Sequence, residues 1–369
     1  MSHGKASIFL TFLLLSLAML AGVAEAREDL VPGSRYTDAR AAAMGDAYLP
    51  LADDGASALF YNPADLSKIR KTSFELMNLS LYGNNGWVSN FGTNASFYKI
   101  TSLSAYEPTL TANPGVLAGA GAQYLPSFYT KGFAFGILLN TQVQGIKNLD
   151  GSITYRSTYQ VIPTIGTGIK LASGIVRIGY SLQMVDEAVG TNTVPSTTTP
   201  LGYNQGLAQG TGFSNTVGTT ITMPWTYLPA ASLVARNIGG VHYSTSSLFH
   251  FTPNPTGAPA NEVGSYDFAL SMQPKIGNGS YFNLVLEDRD FTGTSGMELA
   301  GRLAFGMEMS IKDSFFLRGG WGSGYPSAGI GLREKRGEVS FTWYSEEVGQ
   351  TYHDIRDQRF LFQYSVKAF

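Results

Sequence analysis

The chain has 369 residues with 14% charged and 12% aromatic positions, 43 glycines, no cysteine and a formal net charge of −2. Low charge with many aromatics is unlike an ordinary soluble surface and excludes a disordered chain, while the near-neutral balance gives nucleic acid no electrostatic footprint. Without cysteine there are no disulfide scaffolds, thiolate metal sites or thiol nucleophiles, and no internal stretch stays apolar for the length a spanning helix needs.

Lys5, an apolar run from Ile8 to Leu20 and then Ala24-Glu25-Ala26 predict a signal peptide over residues 1–26. Cleavage after Ala26, before Arg27, leaves 343 of the 369 residues. No cysteine follows the apolar run, so a lipoprotein anchor is excluded. Residues 27–70 form the next unit. Its stretch from Tyr36 to Leu66 is rich in alanine and unlike a strand, and it carries Arg40, Met44, Gly45, Ala47, Ala52-Asp53-Asp54 and Asn62-Pro63-Ala64. Asn62-Pro63 reads as a turn in which the Asn side chain bonds the following backbone, a geometry compatible with a hinge. Asp53 and Asp54 read as a solvated helix terminus.

From residue 71 to 369 the dominant signal is alternation with period two, as in strands whose two faces meet different surroundings. Phe133, Phe135, Ile137 and Leu139 face Ala134, Gly136, Asn140 and Gln142, with Leu138 breaking the pattern. Ile153, Tyr155, Tyr159 and Val161 face Thr154, Arg156, Thr158 and Gln160, and Val176 to Met184 adds a strand. Tyr266 to Met272 and Leu299 to Ile311 alternate most cleanly, and Phe360, Phe362, Tyr364 and Val366 alternate near the C-terminus. A soluble sandwich alternates too, but strands of about 10 residues with a large apolar face and a small or polar one suit a bilayer. Lipid leaves no water for an open edge, so such strands must close into a barrel. At roughly 24 residues per strand-turn unit the chain makes about 14 antiparallel strands.

Polar stretches at Thr101 to Pro114, Glu187 to Val217, Gly239 to Val263 and Glu346 to Asp357 predict long loops. The last residue, Phe369, is out of phase with the even-numbered outward set, which predicts either a bulge near Lys367 or a contact with assembly machinery.

The motif Arg40-x-x-x-Met44-Gly45-x-Ala47, continued by Ala52-Asp53-Asp54 and Asn62-Pro63-Ala64, resembles the start of the long-chain fatty-acid transporter superfamily of outer-membrane barrels, the FadL-like and PorV-like proteins. Leu233 to Gly239, Phe316 to Trp321 and Gly329 to Leu332 resemble the PorV-like branch in particular. The resemblance implies a Gram-negative outer membrane and a barrel of 14 strands, its N-terminal segment folded into the lumen as a mostly helical plug. An alanine-rich segment suits a lumen too wide for wall side chains to fill. It further implies a hatch built on Arg40, Met44, Asp53, Asp54, Asn62, Pro63 and Ala64.

Taking the polar parity as the interior places Arg156, Arg177, Arg302, Arg318, Arg333, Arg359 and Lys367 in the lumen, against Asp267, Glu308 and Glu338. Charges in such a lumen must be paired, hydrated or used. Asp46, Asp53 and Asp54 are therefore expected to hold the plug to wall arginines, and the cationic excess to favour a carboxylate or phosphate. Two functions fit: a passive channel or transporter for small apolar, amphipathic or anionic molecules, and a structural or secretion-accessory barrel that self-associates or binds protein or lipid. The expected partners are membrane lipids and lipopolysaccharide, the barrel-assembly machinery through the terminal strand, and a second copy of the chain.

Nothing points to catalysis. His242 and His250 fall in or beside a loop, and His353 in Tyr-His-Asp reads as a loop residue with no serine placed beside it. Asp288 with Asp290, or Glu346 with Glu347, lack the spacing of a calcium loop, and no cofactor is expected.

Overall fold

The computed structural model describes residues 35–53, 55–89, 103–195, 204–277, 279–348, 352–353 and 356–368. The expected signal peptide, Asp54 and Phe369 lie outside the described residues.

Four short helical pieces come first: α1 (Ala39–Ala43), a 3₁₀ turn (Leu49–Leu51), α2 (Gly55–Phe60) and a 3₁₀ helix (Pro63–Lys68). The wall follows as β1 (Ser73–Asn84), β2 (Ala118–Tyr124 with Ser127–Thr130), β3 (Phe133–Lys147), β4 (Ile153–Leu171) and β5 (Val176–Val194). It continues with β6 (Ala208–Thr222), β7 (Ala230–Arg236), β8 (Ser265–Met272 with Lys275–Gly277) and β9 (Ser280–Asp288). The last five are β10 (Leu303–Ile311), β11 (Phe315–Gly322), β12 (Tyr325–Arg333), β13 (Gly337–Glu347) and β14 (Arg356–Lys367). Each pairs antiparallel with its neighbours, and β14 returns to β1. Sixteen strand segments thus make fourteen wall positions in a closed transmembrane β-barrel.

Alternation sets the two faces. In β10, Phe305 and Met307 are exposed outward while Ala304, Gly306 and Glu308 are buried inward, and β8 and β14 repeat the pattern. Large apolar side chains such as Phe135, Ile165, Leu233, Leu317 and Phe362 make an outer belt that only lipid can cover. Leu138, the residue that breaks the period, is buried in the lumen with Leu59, Leu125 and Ile162, so an apolar wall position marks contact with the helical segment.

Three expectations are corrected. The stretch from Glu187 to Val217 is mostly strand, because β5 runs to Val194 and β6 begins at Ala208; likewise β13 reaches Glu347 and β14 begins at Arg356. Beyond the apolar belt both faces of a strand meet polar surroundings, so the period that reveals a strand vanishes there. Thr101 to Pro114 contains helix α4 (Leu103–Ala112), where α3 is the turn Asn85–Val88. Leu110 of α4 packs with Ile153 and Tyr155, which carry the lipid-facing parity but are covered by protein. A register irregularity does lie near Lys367, in β1 between Glu75 and Met77, opposite Lys367 and Val366, while Phe369 itself falls outside the described residues.

Six short connections lie at the end of the barrel where β1 starts and β14 finishes, and the long loops lie at the other. The connection from Arg236 to Ser265 folds over the outward face of β5, where buried Asp186 accepts bonds from the Ser247 hydroxyl and the Leu248 and Phe249 amides. Its residues also bond the free upper edge of β6, where β7 is too short to reach.

Candidate functional site

The helical segment lies inside the barrel and is seated on glycines at two nearly opposite sides. Asp38 caps α1 by accepting from the Arg40 and Ala41 amides. The helix then bonds the wall. The Ala39 amide donates to Gln363 (2.7 Å), and the Thr342 and Ser327 hydroxyls donate to the Ala39 and Ala43 carbonyls at 2.7 and 2.9 Å. Met44 and Gly45 lie on Gly306, Gly320 and Gly322, and Ala43 on Gly329, where any side chain would collide. Gly45 has φ +66°, and a Cβ there would stand 2.5 Å from the Trp321 carbonyl, so glycine is required on both counts. Within Phe316 to Trp321 and Gly329 to Leu332, Gly320 thereby acquires a physical role beneath Met44-Gly45 and Gly329 one beneath Ala43.

On the far side, Asn62 is fully buried. Its Oδ1 accepts from the Ala64 amide (3.1 Å), capping the 3₁₀ helix Pro63–Lys68, and its Nδ2 donates to the Leu49 carbonyl (3.0 Å) and Thr220 (2.9 Å). This is the turn geometry read from Asn62-Pro63, with one wall contact added. Gly168, Gly179 and Gly218 of β4, β5 and β6 admit the motif: a Cβ on Gly179 would lie 2.1 Å from the Pro63 carbonyl oxygen.

Ion pairs join plug and wall in both polarities, and the most buried of them is opposite to the one expected. Glu308, fully buried, takes a two-pronged bond from Arg40 of the plug (2.8 Å at each oxygen) and a third from Arg318 (2.8 Å). Arg318 continues to Glu338 (3.0 Å), which also binds Arg333 (2.8 Å). The main link is therefore a plug arginine on a wall glutamate. Asp53 binds the plug's own Arg40 (2.9 Å) rather than a wall arginine; Asp46 does meet one, Arg289 (3.1 Å), and Asp65 meets Arg177 (3.4 Å). Arg359 pairs with Glu346 and Asp357, and Arg302 stands above its strand in the short helix α5 (Leu299–Arg302), donating to the Asp290 carbonyl. Lys367 lies over the Tyr129 ring. Carboxylates are thus interleaved with Arg177, Arg318, Arg333 and Arg359 among the described lumen residues.

A cavity of about 340 Å³ lies on the long-loop side of α1, floored by Arg35, Ala42, Gly45, Asp46 and Tyr61 and walled by residues that include Asn140, Gln142, Arg156, Tyr344 and Arg359. A second, of about 50 Å³, lies toward the short turns against Asp38, Arg40, Glu338, Gln363 and Lys367. The plug separates the two.

Several residues of the site lie outside the set expected from the sequence. Arg35 bonds Glu262 of the long loop (2.6 Å) and Gln183 (2.9 Å), and Glu262 also accepts from Tyr243 and Asn237. Burial pushes the Glu262 carboxyl up, but Arg35 and these hydrogen bonds outweigh it and hold it below its ordinary value. Arg236, paired with Asp267, donates to the Phe60 and Tyr61 carbonyls at 2.7 and 3.1 Å, and Glu287 accepts the Tyr48 and Leu49 amides. Parity could have found Arg236 and Glu287, since each alternates with outward apolar neighbours; nothing local marks Arg35 or Glu262. His353 stacks between Tyr325 and Tyr352 beside the Gly324 carbonyl, and Asp290 accepts the Ser295 amide.

No family description and no curated protein sequence matches the chain. Solved structures do. The CymD monoaromatic hydrocarbon channel superposes with a TM-score of 0.50 at 8% identity, over 91% of this chain and 97% of that one. The TodX toluene transporter of Pseudomonas putida gives a TM-score of 0.50 at 11% identity, over 92% and 99%. At such identities the likeness establishes the fold alone, the closed antiparallel barrel described above.

Proposed function

We propose that the chain is an outer-membrane channel for passive uptake of small apolar or amphipathic molecules, gated by its N-terminal hatch. The observation that carries this reading is a lumen crossed by a plug with a cavity on each side, pinned by polar and ionic contacts as well as by the apolar cluster it shares with the wall. The two structural neighbours are named for monoaromatic hydrocarbon and toluene passage, which supports an apolar or aromatic cargo. In this mechanism a molecule enters from the long-loop side and reaches the cavity above α1. Displacement of the segment around Asn62-Pro63-Ala64 then joins the two cavities, and the molecule leaves toward the short turns. No energy source is needed. Lipid and lipopolysaccharide cover the outer belt, and the terminal strand is offered to the assembly machinery.

The test is single-channel conductance in planar bilayers, comparing the mature protein with a variant lacking Arg27 to Tyr61. The intact protein is expected to be silent or flickering and the deletion to be an open pore. Steady conductance by the intact protein, unchanged by deletion, would overturn the hatch.

A further inference from the structure

At the short-turn end an open groove of about 630 Å³ lies beside the foot of the plug, and Arg70, Lys131 and Lys170 all line it while no carboxylate does. The segments that carry these cations are fastened together. The Gly132 carbonyl, at the tip of the turn from β2 to β3, accepts from the Gly168 amide (2.8 Å) and the Thr167 hydroxyl (2.9 Å), which holds Lys131 against the end of β4 that bears Lys170. Thr72 and Thr130 share a hydrogen bond of 2.7 Å, which holds the segment after Arg70 against the same turn. Among the described residues none of the three cations is in an ion pair. Asp65, on the helix that ends two residues before Arg70, is already bonded to Lys68 (2.7 Å) and Arg177 (3.4 Å). The rest of this end is cationic too. Lys71, Lys275, Lys312, Lys335 and Arg336 are exposed there against Asp313 and Glu334, whereas the long-loop end exposes Asp150, Glu298 and Arg356 among the described residues. Ile169 and Leu171, on either side of Lys170, are exposed on the lipid-facing belt. Uncompensated cations therefore border an apolar edge.

We infer that the groove is a docking site for an anionic phospholipid, its phosphodiester held by Arg70, Lys131 and Lys170 and its acyl chains lying on Ile169 and Leu171. Short turns of outer-membrane barrels face the periplasm, so the leaflet beside the groove is phospholipid. Guanidinium and ammonium groups take phosphate oxygens in charge-assisted bonds. A zwitterionic headgroup brings its own ammonium among three cations and is disfavoured. Free phosphate lacks the chains, and an acidic protein segment leaves the apolar edge unused. Arg70 follows the plug while the lysines belong to the wall, so a bound lipid ties the two together beside Gly168, on which the Pro63–Lys68 helix rests. The inference requires a barrel in a bilayer, not the hatch mechanism, and is read without flux.

The test is native mass spectrometry of the detergent-solubilised mature protein, titrated with phosphatidylglycerol, phosphatidylcholine, inorganic phosphate or a polyglutamate peptide. Phosphatidylglycerol is expected to bind about tenfold more tightly than phosphatidylcholine. The triple variant Arg70→Gln, Lys131→Gln, Lys170→Gln should lose that preference. The double variant Lys131→Arg, Lys170→Arg keeps the charge and should retain it, which guards against a folding defect, and Lys335→Gln with Arg336→Gln, on the turn from β12 to β13, should retain it as well. Equal binding of the two lipids, or a preference that survives the triple substitution, would overturn the inference. Displacement of the lipid by equimolar inorganic phosphate would overturn it in favour of a free-phosphate site, and displacement by the equimolar peptide in favour of a surface for an acidic protein.

Discussion

Glu308 shows how much one side chain can hold. It is fully buried and receives guanidinium groups from the plug and from the neighbouring strand. Glu308→Ala would leave Arg40 and Arg318 as buried cations with a shared partner gone, a cost of roughly 3–5 kcal/mol. The expected outcome is a plug that detaches before the barrel unfolds, checked as raised open probability in planar bilayers at unchanged barrel stability. Glu262 makes a pH-dependent contact. Its folded pKa lies below the unfolded value of 4.5, so the Arg35 contact stabilises above that pH and is lost as pH falls through the folded value. A spin label at Thr256→Cys should therefore gain mobility on acidification below about pH 4.5, and Glu262→Gln should remove the pH dependence. At this scale the sequence was informative wherever a charge sat within an alternating strand, as for Glu308 and Arg318. It misassigned the partner of Asp53, because parity tells which face a side chain takes but not which neighbour is in reach.

At the scale of elements, the plug is seated by absent side chains. Gly179→Val would drive a Cβ to 2.1 Å from the Pro63 carbonyl, so the 3₁₀ helix must lift from β5. Overpacking of this kind costs about 1–3 kcal/mol, and hydrogen exchange should rise over residues 55–68. Gly277→Ala, where a Cβ meets nothing within 4 Å, should leave exchange there unchanged. Strands inside the apolar belt were readable from period two, and Leu138 even announced the plug by breaking it. Strand ends were not. The 19 residues of β5 exceed what a bilayer requires, and its upper half, Asp186 to Val194, carries acids, glycine and threonine with no contrast between faces. Helix α4 escaped notice because Pro108 lies inside it and packing on Ile153 and Tyr155, rather than its own propensity, holds it.

For the molecule as a whole, closure of β14 on β1 removes every free edge along the belt, so unfolding must break a ring of ladders together. The folded protein is expected to resist detergent unless heated, which is checked by a mobility shift between boiled and unboiled samples on denaturing gels. The same ring has a mechanical side. A cylinder of hydrogen-bonded strands resists stretching around its circumference, yet it can ovalise with little change in any single bond. The plug touches β4 to β6 at one end and β10 to β12 at the other, six positions apart, and so acts as a strut across the diameter. Releasing either foot of that strut frees the cross-section to change shape, which makes the movement of the hatch and the roundness of the pore one mechanical variable.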